Sequence, residues 1–341
     1  MAAGFLYWRA RAYRSLDLVF EGDFPIDPDP EIGFVPIRNG ATVRRHPRAG
    51  LAYHLFTSDR RARVDRRGER TPPAVDLVTV GDSFSWGHGV ENADTYTSRL
   101  GARRGAPVAN FAFAAYGTVQ SRQMLARVLD LRPRVVVYGF IADHVKRNIS
   151  PCAPAYGAVC LPFSYVSTDA GGGLVIRRPD LALFDVNRRV WQDFFFSKTI
   201  GVRQLVAVAR AEAARWRQPH PEVADTPETR QRILERLIGE MADDAAGIGA
   251  CLVVVNIPYL ERGTTNPMPA PLKDAVRRLA RPKLLLLDLA PIVARHYADP
   301  AAPLLRPERD GHPNALAHAL FAQTIDAFLR EKGLVPAASA R

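Results

Sequence analysis

The chain has 341 residues, 47% of them hydrophobic, and a formal charge of +11 carried by 41 Arg and 5 Lys against 35 acidic residues. That length and apolar content supply a large core and exclude a disordered tail. The arginines are dispersed rather than gathered into a basic run interleaved with aromatics, so the charge reads as an Arg-biased solvated surface, and no nucleic-acid partner is expected.

The opening "MAAGFLYWRARAYRSLDLVF" meets arginine too early for a typical secretion signal and would equally fit the stump of a removed anchor. No stretch reaches the ~20 apolar residues of a bilayer span, which makes cytoplasmic the default address and leaves membrane association and oligomeric state open. Residues 1–72 form a lead-in rich in Pro, Gly, Arg and Asp, with short apolar pieces such as "LAYHLF" that would pair as edge strands. From residue 73 to 335 the pattern changes. Continuous apolar runs at 75–80, 107–111, 134–140, 251–256 and 283–288 predict strands covered on both faces. Helical periodicity at 93–104, 119–131, 198–217, 227–247, 270–281 and 314–331 fills the gaps. This alternation predicts an α/β fold: a three-layer, doubly wound, flavodoxin-like parallel sheet.

Residues 150–197 interrupt the alternation and read as a cap or substrate-facing insertion. Its aromatic residues Phe163, Tyr165, Trp191 and Phe194 to Phe196 suit either core packing or a sugar-stacking surface. Cys152 and Cys160 bracket the loop "CAPAYGAVC" within it. A disulfide between them would place the protein in an oxidising, periplasmic or extracytoplasmic compartment; two separate thiols would not. Cys251 opens a buried strand and reads as inert.

The segment "VTVGDSFSWGHGV" (78–90) puts Ser83 just beyond the carboxyl end of the first core strand, where open parallel sheets bind ligands. A nucleophile and an ordinary helix N-cap both fit that position. A base comes from the far end, where "RPERDGHPN" sets Asp310 two residues before His312 in a Gly/Pro-bounded turn. The imidazole would take the hydroxyl proton and the carboxylate would fix its tautomer. His318 falls inside the last helix and reads as packing or surface, and His88 has no carboxylate beside it in sequence.

With both ends in view, residues 74–331 resemble the SGNH (GDSL-like) hydrolase family. "GDSFSWGHGV" is similar to the first family block, which implies Ser83 as nucleophile, and "DGHPN" to the last, which implies His312 as base and Asp310 as its partner. "NFAFAAYGTVQ" (110–120) sits where the second block belongs, and its spacing lands the oxyanion donor on Ala115, with Gly117 two residues on. Three departures stand out. Arg309 occupies the usual place of the Asp, three before the His. Ala115 replaces a glycine. The third block, which normally supplies an asparagine donor, reads "IADHVKRN", leaving Asp143, His144 or, further along, Asn148. The expected oxyanion hole is therefore Ser83, Ala115, Asp143 and His144.

The resemblance implies a serine esterase working through an acyl-enzyme, removing a small O-acyl group such as acetyl from a carbohydrate or similar ester. An O-acyltransferase of exopolysaccharide or glycoconjugate modification would share the chemistry up to that intermediate, and a non-catalytic carbohydrate-binding relative would keep only the fold. No cofactor or metal is expected. The histidines show neither i,i+4 pairing with a glutamate nor a Cys-x-x-Cys partner, and "GDSFSWG" lacks the glycine spacing of a dinucleotide site.

Overall fold

The computed structural model describes residues 18–155, 159–192, 201–216, 223–261, 264–306 and 310–335, with a few positions between 4 and 11. At its centre lies a nine-stranded sheet: β1 (Val19–Gly22), β2 (Ala41–His46), β3 (Leu51–Thr57), β4 (Arg63–Val64), β5 (Leu77–Gly81), β6 (Val108–Asn110), β7 (Val135–Phe140), β8 (Cys251–Asn256) and β9 (Leu284–Asp288), in the order β1-β2-β3-β4-β6-β5-β7-β8-β9. The last five positions, β6-β5-β7-β8-β9, are all parallel. They correspond to the five apolar runs predicted from sequence. Numbered among themselves they run 2-1-3-4-5, the flavodoxin-like order, whose reversal lies between the first and third strands.

Helices cover both faces. On one side pack α3 (Thr118–Ala126), α7 (Pro227–Gly247) and α8 (Ala270–Leu279), through Met124, Leu125, Leu234, Ile238, Met241 and Leu272. On the other pack α2 (Tyr96–Arg104), α9 (Ala290–His296) and α10 (Ala315–Glu331), through Tyr96, Leu100, Val293, Phe321 and Leu329. β7 and β8 are buried at every position, which is why they read as unbroken apolar runs and not as alternating ones.

Residues 19–64 add an antiparallel extension to the β6 edge of this sheet. The buried Arg63 of β4 donates to the carbonyls of Trp86, Gly87, Val90 and His54. Burial pushes its guanidinium pKa down to about 10, still charged at neutral pH. The extension is thus bolted to the loop that follows Ser83. Within 150–197 the described residues form two hairpins, Cys152–Ala155 with Val159–Pro162 and Tyr165–Thr168 with Leu174–Arg177, then helix α5 (Leu181–Trp191). Cys152 is disulfide-bonded and Cys251 is a free, buried thiol. Phe163 and Tyr165 are buried, Phe163 stacking on Phe34 at 5.1 Å, so these two serve the core. Phe194 to Phe196 and the side chain of Trp191 lie outside the described residues, as do residues 198–200 and 217 of the helix expected over 198–217; within that span α6 runs Val202–Trp216. Among the described residues no helix is long and apolar enough to cross a membrane.

Candidate active site

β5 ends in Gly81, whose φ of +149° and close approach to Gly139 require glycine, since a Cβ there would lie 2.6 Å from the Gly139 carbonyl oxygen. The chain then turns into the one-turn helix α1 (Ser83–Trp86), capped by Asp82, whose carboxylate accepts from Phe84 N–H at 3.0 Å. The N-cap is therefore Asp82, which leaves the Ser83 hydroxyl to other partners. It is hydrogen-bonded to His312 Nε2 at 2.8 Å.

His312 lies on a short strand, Asp310–Pro313, paired with Leu304–Arg306. In an extended strand residues i and i+2 share a face, which explains how a two-residue spacing brings both side chains together without an intervening turn residue. Asp310 Oδ1 accepts from His312 Nδ1 and from the His312 backbone N–H at 3.1 Å. Asn314 then caps α10, accepting from Leu316 and Ala317 N–H, while its amide donates to Ala302 and Leu304 carbonyls. Burial raises the Asp310 carboxyl pKa, but the hydrogen bond and charge of His312, with the His88 ring beside it, outweigh it and hold the group well below the carboxylate range.

His88 corrects the sequence reading. Its Nε2 lies 3.3 Å from Asp310 Oδ2, and its ring stacks on His312 with centroids 4.1 Å apart. His46 and Tyr53 of the antiparallel extension pack against it at 5.8 and 6.0 Å. Burial, then the charges of Arg44 and His312, push its pKa well down, so it is neutral at pH 7. The carboxylate missing from its sequence neighbourhood comes from 222 positions away. His318 packs inside, accepting from Tyr96 N–H through Nδ1 at 3.2 Å.

Ala115 adopts φ +68°, the left-handed conformation for which glycine is the usual residue. Among the described residues neither the Ser83 nor the Ala115 N–H donates to a protein acceptor, whereas the Gly117 N–H is engaged by Gln120 Oε1 at 2.9 Å. Asp143 and His144 differ from expectation. The half-exposed Asp143 carboxylate pairs with Arg147 at 3.4 Å. His144 opens the short helix α4 (His144–Arg147); its N–H closes a turn onto Ile141 O at 3.0 Å, its Nδ1 meets the Tyr138 hydroxyl at 2.8 Å, and its Nε2 faces Asp82 at 3.6 Å. The chain leaves β7 directly into this turn, which engages the donor the hole would need. Asn148 is also engaged, accepting from Thr118 and Val119 N–H at the start of α3.

Sequence reasoning missed Arg147. Its Nη1 donates to Asp82 Oδ2 at 3.0 Å and to Tyr116 O at 2.9 Å, tying the Ser83 turn to the Ala115 turn. Burial raises the Asp82 carboxyl, but His144 and Arg147 lower it further, so this fully buried group stays ionised. His88, Asp310 and His312 could also offer a metal ion one ligand atom each, all within 4.8 Å of one another, though the His312 ring nitrogens and Asp310 Oδ1 are already engaged in the hydrogen bonds to Ser83 and to each other.

No family model and no curated protein matches the chain. Among solved structures it is similar to a G-D-S-L family protein from Desulfitobacterium hafniense (11% identity, 74% of this chain and 97% of that one, TM-score 0.37). It is also similar to a family two carbohydrate esterase from Corynascus thermopiles (15%, 93% and 86%, 0.41) and to a family two carbohydrate esterase from Clostridium thermocellum (12%, 77% and 67%, 0.40).

Proposed function

We propose that the protein is a serine esterase of the SGNH (GDSL-like) type, acting on an O-acyl ester such as an acylated carbohydrate. The observation that carries this reading is the unbroken hydrogen-bond chain Ser83 Oγ–His312 Nε2 and His312 Nδ1–Asp310 Oδ1. His312 takes the Ser83 proton as Oγ bonds to the ester carbonyl carbon, and Asp310 stabilises the resulting imidazolium. The carbonyl oxygen, now anionic, is received by the N–H groups of Ser83 and Ala115. As the bond to the leaving oxygen breaks, His312 returns the proton to it, and water repeats the sequence to release the acid. The Cys152 disulfide supports residence in an oxidising compartment.

The test is p-nitrophenyl acetate turnover by wild type and Ser83→Ala, with intact-mass analysis after an activated phosphonate ester. Turnover lost in the variant, and a single adduct mapping to Ser83, are expected. Equal rates in both proteins, or an adduct elsewhere, would overturn the assignment. Adding a carbohydrate acceptor to the same assay and following acylated sugar against free acid distinguishes transfer from hydrolysis.

A further inference from the structure

A cavity opens beside Ala115. Its walls include Ile26, Phe34, Leu55, Trp86, Phe113 and Leu161, all buried, with Ala115 itself forming part of the lining. Trp86 ends the helical turn that begins with Ser83, so the cavity touches the two segments that carry the proposed nucleophile and the second oxyanion N–H. Ala115, whose N–H is the proposed second oxyanion donor, is thus itself a wall residue of this apolar space. Arg44 also lines the cavity, its guanidinium lying over the faces of Phe20 and Tyr53, at 5.4 and 5.9 Å from their centroids. That charge is held by the two aromatic faces.

The size is restrictive. The cavity volume is about 40 Å³, room for about three or four waters at ~10–15 Å³ each. The walls are interlocked aromatics, Trp86 edge-on to Phe113 at 5.0 Å and Phe113 edge-on to Phe34 at 6.1 Å, which leaves little scope for expansion. Six of the eleven lining residues come from residues 20–55: Phe20, Arg44 and Leu55 on the antiparallel extension, and Pro25, Ile26 and Phe34 on or beside the separate hairpin Ile26–Asp29/Gly33–Pro36 that it carries.

We propose that this cavity is the acyl site and that it takes short, unbranched acyl groups of about two to four carbons, a reading that rests on the esterase assignment. Chain-length selectivity is then built by the N-terminal extension. The leaving group lies outside the cavity, so a series of p-nitrophenyl esters differing only in acyl length isolates the effect.

The experiment compares kcat/KM for acetate, butyrate and octanoate esters in the full chain, with Leu55→Ala to enlarge the cavity and Leu55→Phe to fill it. For wild type, octanoate is expected at about a tenth of the acetate value or less, since methylenes without room forfeit binding of this order. Leu55→Ala should raise the octanoate-to-acetate ratio at least about fivefold, and Leu55→Phe should lower the butyrate-to-acetate ratio by a similar factor. If Leu55→Ala fails to fold, Leu55→Phe still decides. Wild type that turns over octanoate as well as acetate, or ratios unmoved in the folded variants while turnover still depends on Ser83, overturns the acyl site and leaves the esterase standing. Absence of any Ser83-dependent turnover overturns both.

Discussion

Replacing His88 tests whether the second histidine on Asp310 positions the base. Asp310 has two carboxylate oxygens: Oδ1 serves His312 twice, and Oδ2 faces His88 Nε2 at 3.3 Å. That contact is long and poorly aligned, as catalytic hydrogen bonds often are before substrate binds. The carboxylate is only 9% exposed, so little water can substitute for a lost partner. Hydrogen bonds to charged groups contribute about 1.5–3 kcal/mol, and each 1.36 kcal/mol of barrier is a factor of ten. His88→Phe keeps an aromatic ring on His312 and removes the N–H, and is expected to lower kcat by roughly 10- to 100-fold with little change in KM. His88→Ala also removes the stack at 4.1 Å and should lose more. The assay is steady-state ester turnover across pH, paired with a urea titration to separate activity from stability. A purely structural His88 would lower stability and leave the pH profile of the remaining activity in place. His88→Phe with wild-type kcat and an unmoved acid limb would refute the positioning role.

Three further outcomes follow from the same geometry. Ala115→Gly should leave kcat/KM within about twofold and change stability by zero to about +1 kcal/mol in urea, because relief of ~1–2 kcal/mol of left-handed strain is partly offset by glycine's unfolded-state entropy; a loss above about 1 kcal/mol would contradict this. Arg147→Met should destabilise by about 3–5 kcal/mol by stranding the fully buried Asp82 charge, and Asp82→Asn in the same chain should recover part of it, both read by thermal or urea unfolding. His318 is held neutral by burial, its pKa pushed down to about 3, so its contribution to stability is complete above the unfolded value near 6.5 and is lost as pH falls toward 3. At pH 5 the loss is about 2 kcal/mol, and His318→Gln should flatten the stability profile between pH 6.5 and 4; an unchanged slope would show that other groups dominate.

The parallel strands were legible because burial on both faces leaves a period-free apolar run, and β7 and β8 are buried throughout. Ser83, Asp310 and His312 were legible because each stands in a local turn or strand signal whose spacing survives translation into geometry. Ala115 was reachable by counting, and its positive φ explains why the count matters. Asp143 and His144 misled because sequence proximity to the end of β7 says nothing about which donors the following turn consumes; Ile141 O takes the N–H in question. His88, Arg63 and Arg147 carried no local signal. The partners that tie them to the Ser83 turn are far off in sequence: Asp310 is 222 positions from His88, Trp86, Gly87 and Val90 are 23 to 27 from Arg63, and Tyr116 and Asp82 are 31 and 65 from Arg147, so only the closed sheet brings them within reach.

Those three residues converge on one point, the rigidity of the turn after β5. A one-turn helix has too few internal hydrogen bonds to fix itself, and a nucleophile misplaced by about 1 Å can lose on the order of 100-fold in rate. Here the C-terminal carbonyls of α1 are held by Arg63 from the antiparallel extension, its N-cap Asp82 by Arg147 from the turn after β7, and the loop beyond it by the packing of His88 between Tyr53, His46 and His312. Two of these three clamps reach back to residues 46–63. The N-terminal extension therefore acts as a structural part of the proposed active site, and substitutions along its inner face should register in turnover before they register in the global fold.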